Sequence, residues 1–150
     1  MRLVRRGVGR LGLVVMLAVS AWIVQAQAQM VVTLVGTGGP ELSVERGGAS
    51  TLVQVQGESL LFDAGRGTLE SLYLSRVRLQ EVTRVFLTHL HSDHIAGLPD
   101  LWMTPWFLLG RTTPLEVWGP PGTQAMVDGM RQMYGHDVEH RANATLRAFS

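Results

Sequence analysis

Three histidines and one aspartate, His89, His91, Asp93 and His94, fall within six consecutive positions of this 150-residue chain. Imidazole nitrogens and carboxylate oxygens are ligands that zinc and similar divalent ions accept. A single His-x-His pair would be weak evidence, because histidines also cap helices and pack in cores, but four ligand-type side chains in so short a window predict a metal site. Their order could supply two adjacent ions, and two-metal sites commonly perform hydrolysis.

The residues before this cluster predict how its side chains are positioned. Residues 84–88 form a strand pattern, and an extended chain through His89 and His91 would point both rings to one side. The chain must then turn around Ser92 to bring the next two ligand-type side chains to the same place, which a loop at a strand end allows. Pro99 predicts a helix that begins shortly after the loop.

Short strand patterns alternate with helix patterns along the chain, which predicts an α/β fold. Residues 51–56 alternate in polarity and should turn at residues 57–58 into an antiparallel partner at 59–62. Further strands are predicted at residues 31–35 and 115–118.

Three helical segments are predicted between or after these strands. Thr68 is the expected N-cap of the first, and the tryptophan-rich segment 101–107 should kink or end at Pro105. A helix from Thr123 carries methionines at helical spacing, which is typical of a core-facing stripe, and it should end near Gly135.

Three aromatic side chains follow the histidine cluster closely, Trp102, Trp106 and Phe107. They could form a substrate pocket, but core packing is the favoured interpretation. The glycine-rich residues 36–40 lack the lysine and the spacing of a phosphate-binding loop, so they are interpreted as backbone geometry near the site.

The cluster, HLHSDH at residues 89–94, resembles the H-x-H-x-D-H signature of the metallo-β-lactamase fold hydrolases. Flanking segments are similar to the ribonuclease Z and metal-dependent arylsulfatase branch of that superfamily, and the resemblance runs from about residue 31 to 141. These segments are GTGGP at 36–40, LFDAG at 61–65, FLTH at 86–89, GLPDL at 97–101 and GPPG at 119–122. The resemblance implies the N-terminal portion of an αββα sandwich.

Roles for individual residues also follow from the resemblance. His89 and His91 would hold a first metal ion, and Asp93 and His94 a second. Asp93 would in addition be the catalytic residue that orients or deprotonates a bridging water. Asp63 would be an acid that supports the loop of residues 89–94, called the metal loop below, by accepting a hydrogen bond from a ligand histidine. A carboxylate after an apolar strand is also a plausible turn former. Two zinc ions are expected, with manganese or iron also compatible with nitrogen and oxygen ligands.

The family's remaining metal ligands should lie downstream: a third histidine, a bridging aspartate and a last histidine. The chain's only other histidines, His136 and His140, follow the signature too closely for the third ligand, and their i, i+4 spacing is only a weak metal pattern. Residues 29–150 are therefore predicted to be a hydrolase domain truncated at its C-terminus, weakly stable and inactive alone.

Residues 1–28 read as a secretory signal peptide. Arginines at 2, 5, 6 and 10 precede an apolar run at 11–24, and a small-x-small site ends at Ala28. Export to the periplasm or secretion is expected. The run is short for a spanning helix, which needs about 20 residues, although an uncleaved anchor stays open. The arginine pair Arg5-Arg6 leaves both the general secretory and the twin-arginine routes open.

Cleavage after Ala28 would leave nine basic against twelve acidic residues, a formal charge of −3 with neutral histidines. The arginines are scattered and there is no lysine, so nucleic acid is not expected as a partner. A small-molecule ester of sulfate or phosphate is the expected substrate. Stable membrane insertion is not expected after the leader is cleaved, and a homodimer is compatible with the sequence. The alternatives are a ribonuclease Z-like phosphodiesterase and a non-catalytic metal-binding module. The absence of cysteine excludes disulfides and thiolate ligands within these residues.

Overall fold

A computed structural model describes the backbone of residues 29–148 and the side chains of residues 29–142. Its strands are β1 (Val31–Gly36), β2 (Ser50–Val55), β3 (Glu58–Phe62), β4 (Arg84–Phe86) and β5 (Glu116–Trp118). Its helices are α1 (Thr68–Leu74), α2 (Ser92–Ile95), α3 (Leu98–Leu109), α4 (Thr123–Met133) and α5 (Gly135–Ala148), with a 3-10 turn at Leu79–Glu81. The predicted α/β class is confirmed.

The five strands form one mixed sheet in the order β1-β2-β3-β4-β5. The first three are antiparallel, whereas β3, β4 and β5 are parallel and in register. The predicted hairpin between β2 and β3 is present, but it turns at Gln56 and Gly57 rather than at residues 57–58, and Glu58 already pairs with Val55. Both turn residues have positive φ, 52° and 81°, the combination that matches the twist of a two-residue hairpin.

The core lies on one face of the sheet, against α1 and α3. Leu52, Leu61 and Val85 stand side by side on three neighbouring strands and are fully buried. Leu72 of α1 and Leu101 of α3 are also fully buried in the same cluster. The alternation predicted for the second strand is therefore confirmed, since its inward side chain reaches the core.

The parallel strands each end on an aromatic residue of the opposite face. Phe62 stacks on Phe86 with ring centroids 5.3 Å apart, and Phe86 stacks on Trp118 at 6.5 Å. Backbone hydrogen bonds continue the sheet by one residue, because Asp63 N–H donates to Phe86 O (2.9 Å) and Leu87 N–H donates to Trp118 O (2.7 Å). The loops that follow these strands are thereby fixed at one edge of the sheet.

The sequence predicted Thr68 as the N-cap of the first helix, but the structure places another residue there. Gly67, in the left-handed conformation, is the N-cap residue, and Thr68 is the first helical residue. The buried Thr68 hydroxyl donates to Gly65 O at 2.7 Å. The hydroxyl therefore fastens the preceding turn instead of accepting from the helix's free N–H groups.

The helix α3 does not end at Pro105, which lies inside it and is fully buried. Proline has no N–H, so the carbonyl of Leu101 loses its helical partner. Arg111 replaces it: its Nη1 donates to Leu101 O at 3.0 Å and its Nη2 donates to Trp102 O. The chain reverses at Gly110 (φ 70°), which returns the buried Arg111 to the helix, and this burial lowers the pKa of the guanidinium.

Two sequence predictions concern the membrane and the leader. No helix within residues 29–148 is long and apolar enough to cross a bilayer. The predicted signal peptide, residues 1–28, lies outside the described residues, so its assignment stays a prediction.

Candidate metal centre

The histidine cluster lies on the segment that joins β4 to α3, at the carboxyl edge of the parallel strands. Strand β4 ends at Phe86, earlier than predicted, and the chain bends at Thr88. His91 is extended (φ −69°, ψ 148°), and Ser92 begins the single helical turn of α2. The predicted turn around Ser92 is therefore present, and the next two ligand-type residues lie on that turn.

All four predicted ligand residues are brought together by this turn. The ring centroid of His89 lies 4.6 Å from that of His91 and 4.0 Å from that of His94. The carboxylate of Asp93 places Oδ2 3.5 Å from His94 Nε2. Three imidazoles and one carboxylate thus share one small volume at the surface of the loop.

Asp63 connects this cluster to the sheet, although it lies 31 positions before His94 in the chain. Its side chain is buried, with 7% of the residue exposed. Its Oδ2 accepts from His94 Nδ1 at 2.8 Å, and its Oδ1 accepts from the backbone N–H of Thr88 at 2.8 Å. Asp63 has φ 61°, a left-handed conformation that aspartate tolerates better than most residues.

The bond from His94 to Asp63 decides which ring nitrogen can act as a ligand. A carboxylate only accepts hydrogen bonds, so His94 Nδ1 carries a proton, and in the neutral form of the ring the lone pair lies on Nε2. That lone pair faces Asp93 Oδ2, also an acceptor, at 3.5 Å. Two electron-rich atoms directed at each other form a donor set suited to a cation.

Three glycines allow the metal loop to approach two other backbone segments. A Cβ on Gly65 would lie 2.3 Å from Asp93 O, and a Cβ on Gly48 would lie 2.7 Å from the same oxygen. A Cβ on Gly97 would lie 2.2 Å from Gly65 O. Backbone hydrogen bonds cross the same contact, from Ala64 N to His94 O (2.7 Å) and from Gly97 N to Ala64 O (2.8 Å). The sequence gives no direct prediction of this packing, and the paired glycines at residues 47–48 are its only local signal.

The loop at residues 36–40 supports the same contact from behind. Gly38 N–H donates to Gly47 O at 2.7 Å, and a Cβ on Gly36 would lie 1.9 Å from Gly48 O. The loop therefore fixes the backbone that packs against the metal loop, in agreement with its interpretation as backbone geometry.

No group of three or more histidine, cysteine, aspartate or glutamate side chains in the described part of the chain is arranged to hold one ion. The assignment of the ligands to two ions in pairs, His89 with His91 and Asp93 with His94, therefore stays a prediction. His136 and His140 lie exposed on α5.

The tryptophans after the metal loop line a cavity of about 530 Å³ between α3, the β5 region and α4. Trp102 and Trp106 are half-buried and form part of its wall, whereas Phe107 lies under the Arg141 guanidinium, 3.9 Å from its ring centroid. None of the four predicted ligand residues lines this cavity.

Residues 30–121 match the model of the family described as "Anti-Pycsar protein Apyc1", and this range contains Asp63 and the four candidate ligand residues. The chain belongs to this family. It is also similar to two mycobacterial proteins named ribonuclease Z. It is 44% identical to that of Mycobacterium marinum and 41% identical to that of Mycobacterium bovis, in each case over 112 residues. Each match covers 73% of the chain and 40% of the relative, so the chain spans about 40% of the length of these curated relatives.

Solved structures agree on the fold. Human tRNase Z, short form, superposes with a TM-score of 0.63 at 34% identity, over 71% of the chain and 40% of the human protein. The metallo-β-lactamase fold protein YhfI of Bacillus subtilis superposes with a TM-score of 0.52 at 31% identity, over 60% of the chain and 37% of that protein. The predicted metallo-β-lactamase fold and the ribonuclease Z resemblance are confirmed.

The relatives correct the prediction of partners. A small-molecule ester substrate was expected and nucleic acid was not, but the relatives named ribonuclease Z and tRNase Z indicate RNA. A count of charged side chains leaves out any divalent ions that the site would hold, and such ions would be the largest local charges there and would attract phosphate.

Proposed function

We propose that the full-length protein is a metal-dependent phosphodiesterase of the ribonuclease Z type, which hydrolyses RNA. The supporting observation is the convergence of His89, His91, Asp93 and His94 on one loop, fastened to the sheet by Asp63. This loop lies within residues 30–121, which match the family model.

We assign the ligands in two pairs, as the family resemblance implies. His89 and His91 would hold one ion, and Asp93 with His94 Nε2 would hold the other, with zinc expected and manganese or iron compatible with the same atoms. Bound there, the ions would supply Lewis-acid activation of water and of the phosphoryl oxygens.

The chain's own residues prepare this chemistry. Asp63 accepts the hydrogen bond from His94 Nδ1, so in the neutral ring the lone pair lies on Nε2, on the side of the site. Asp93 places Oδ2 beside that nitrogen, where it would orient the attacking water and accept its proton. The backbone of Asp93 is held in place by Gly48 and Gly65, so this carboxylate projects from a fixed position.

Cleavage of an RNA with a 3′ extension by the full-length protein tests the proposal. Asp93→Asn should lower kcat by about 10²–10⁴-fold, the usual contribution of an acid or base catalyst. Asp100→Asn is the matched control, because Asp100 is an exposed acid in the first turn of α3, and this variant should cleave normally. Chelation of the metal should abolish cleavage.

Three outcomes would contradict the proposal. Equal losses in both aspartate variants would mean that a charge change, not the site, lowers activity. Turnover of an aryl sulfate without cleavage of RNA would contradict the substrate class. Bound metal with no hydrolysis of either substrate would indicate a non-catalytic metal-binding module.

The assignment of residues 1–28 as a cleaved leader, with residues 29–150 as the start of the hydrolase domain, is a separate proposal. It is supported by the arginines and the apolar run before Ala28. Intact mass measurement of the protein from its native host tests it. A mass that matches a chain starting at Gln29 supports cleavage, and a mass that matches a chain starting at Met1 contradicts it.

A further inference from the structure

The hydroxyl of Thr88 lies between the buried carboxylate and a second histidine. Its Oγ1 is 3.0 Å from Asp63 Oδ1, 2.9 Å from Asp63 Oδ2 and 3.0 Å from His89 Nδ1. The backbone N–H of Thr88 also donates to Asp63, at 2.8 Å, so the residue is held at two points. Thr88 is therefore fixed between a group that only accepts hydrogen bonds and a ring nitrogen that can donate or accept.

The single proton of the Thr88 hydroxyl determines the direction of the hydrogen bonds that link Asp63, Thr88 and His89. Two carboxylate oxygens of Asp63 at about 3 Å would repel the hydroxyl oxygen unless the proton lay between them, so Thr88 donates to Asp63. Its oxygen is then left as an acceptor toward His89. His89 Nδ1 must donate, and the lone pair of the neutral ring lies on Nε2.

We propose that Thr88 is a positioning residue that fixes the tautomer of His89 through Asp63. One buried carboxylate then sets the ligand nitrogen of two histidines: His94 by a direct bond, and His89 through the hydroxyl. Under the proposed function these histidines belong to different ions, so Asp63 and Thr88 prepare both halves of the metal pair. The tautomers themselves do not depend on that function.

Nitrogen NMR of the metal-free, ¹⁵N-histidine-labelled full-length protein reports the tautomers directly. Long-range ¹H–¹⁵N correlation at mildly alkaline pH distinguishes a proton on Nδ1 from one on Nε2. In the wild type we expect Nδ1–H for both His89 and His94. The exposed His136 and His140 serve as internal references for unconstrained rings.

Two substitutions of Thr88 separate the hydroxyl from the shape of the side chain. Thr88→Val keeps the branched shape but removes the hydroxyl, and His89 should move to the Nε2–H form while His94 is unchanged. Thr88→Ser restores the hydroxyl and should restore the wild-type spectrum. A wild-type His89 with its proton on Nε2, or a valine variant that leaves the proton on Nδ1, would overturn the proposal. If the valine variant does not fold, a wild-type His89 with its proton on Nε2 still overturns the proposal.

Zinc titration by calorimetry provides a second readout that does not need turnover. Thr88→Val should weaken binding of one ion by about 10–100-fold, the usual cost of losing an outer-shell partner, and leave the other unchanged. Equal affinities in the valine, serine and wild-type proteins would contradict the positioning role. Correct tautomers without RNA cleavage would remove the proposed function and leave this inference intact.

Discussion

Gly65 offers the sharpest test of how the fold positions the metal loop. A methyl group there would lie 2.3 Å from Asp93 O, 2.4 Å from Gly48 C and 2.7 Å from Ala49 N, all of them backbone atoms. Ordinary contacts begin near 3.5 Å, so Gly65→Ala must displace one segment by about 1 Å. Overpacking usually costs about 1–3 kcal/mol, and three rigid obstacles place this variant at the upper end of that range or above.

Urea denaturation and RNA cleavage measure the two consequences of Gly65→Ala. We expect the free energy of unfolding to fall by about 3 kcal/mol or more and kcat to fall by about 10²-fold, because a 1 Å misplacement of catalytic groups has this effect. Gly129→Ala is the matched control, because Gly129 lies within α4 and no atom lies within 4 Å of its added Cβ. This variant should raise the free energy of unfolding by about 0.5–1 kcal/mol. A Gly65→Ala protein as stable and as active as the wild type would refute the close-packing argument.

Two further predictions concern stability, each checked by urea denaturation. Arg111→Met removes the guanidinium that donates to the carbonyls of Leu101 and Trp102, so the free energy of unfolding should fall by about 2–3 kcal/mol. Unchanged stability would show that Arg111 does not compensate for Pro105. Gly57→Ala meets no steric obstacle but must adopt φ 81°, so it should cost about 1–2 kcal/mol from conformation alone, and a neutral result would contradict the assigned hairpin turn.

The convergence of the four candidate ligand residues could be predicted from the sequence because their types and spacing are local. The turn at Ser92 followed from the same spacing, since adjacent side chains such as Asp93 and His94 diverge on a strand. The bond between His94 and Asp63 spans 31 positions and depends on parallel pairing of β3 with β4, which no local pattern specifies. Asp63 was reached by family resemblance instead.

The close approach of the glycines and the path of α3 could not be predicted for a related reason. A glycine shows that a Cβ is absent, but not which distant backbone occupies the space, as at Gly48 and Gly65. Pro105 carries a local signal for the end of a helix, and the distant guanidinium of Arg111 overrides it. In both places contacts with distant parts of the chain set the structure, and the local sequence preference does not specify them.

The measurement that tests the account most directly is the metal content of the full-length protein by elemental analysis, with two histidine-pair variants. We predict two ions per wild-type chain, one after His89 and His91 are both replaced by alanine, and two after the same change at the exposed pair His136 and His140. A metal content that does not respond to His89 and His91, or that falls when His136 and His140 are replaced, would contradict the assigned centre.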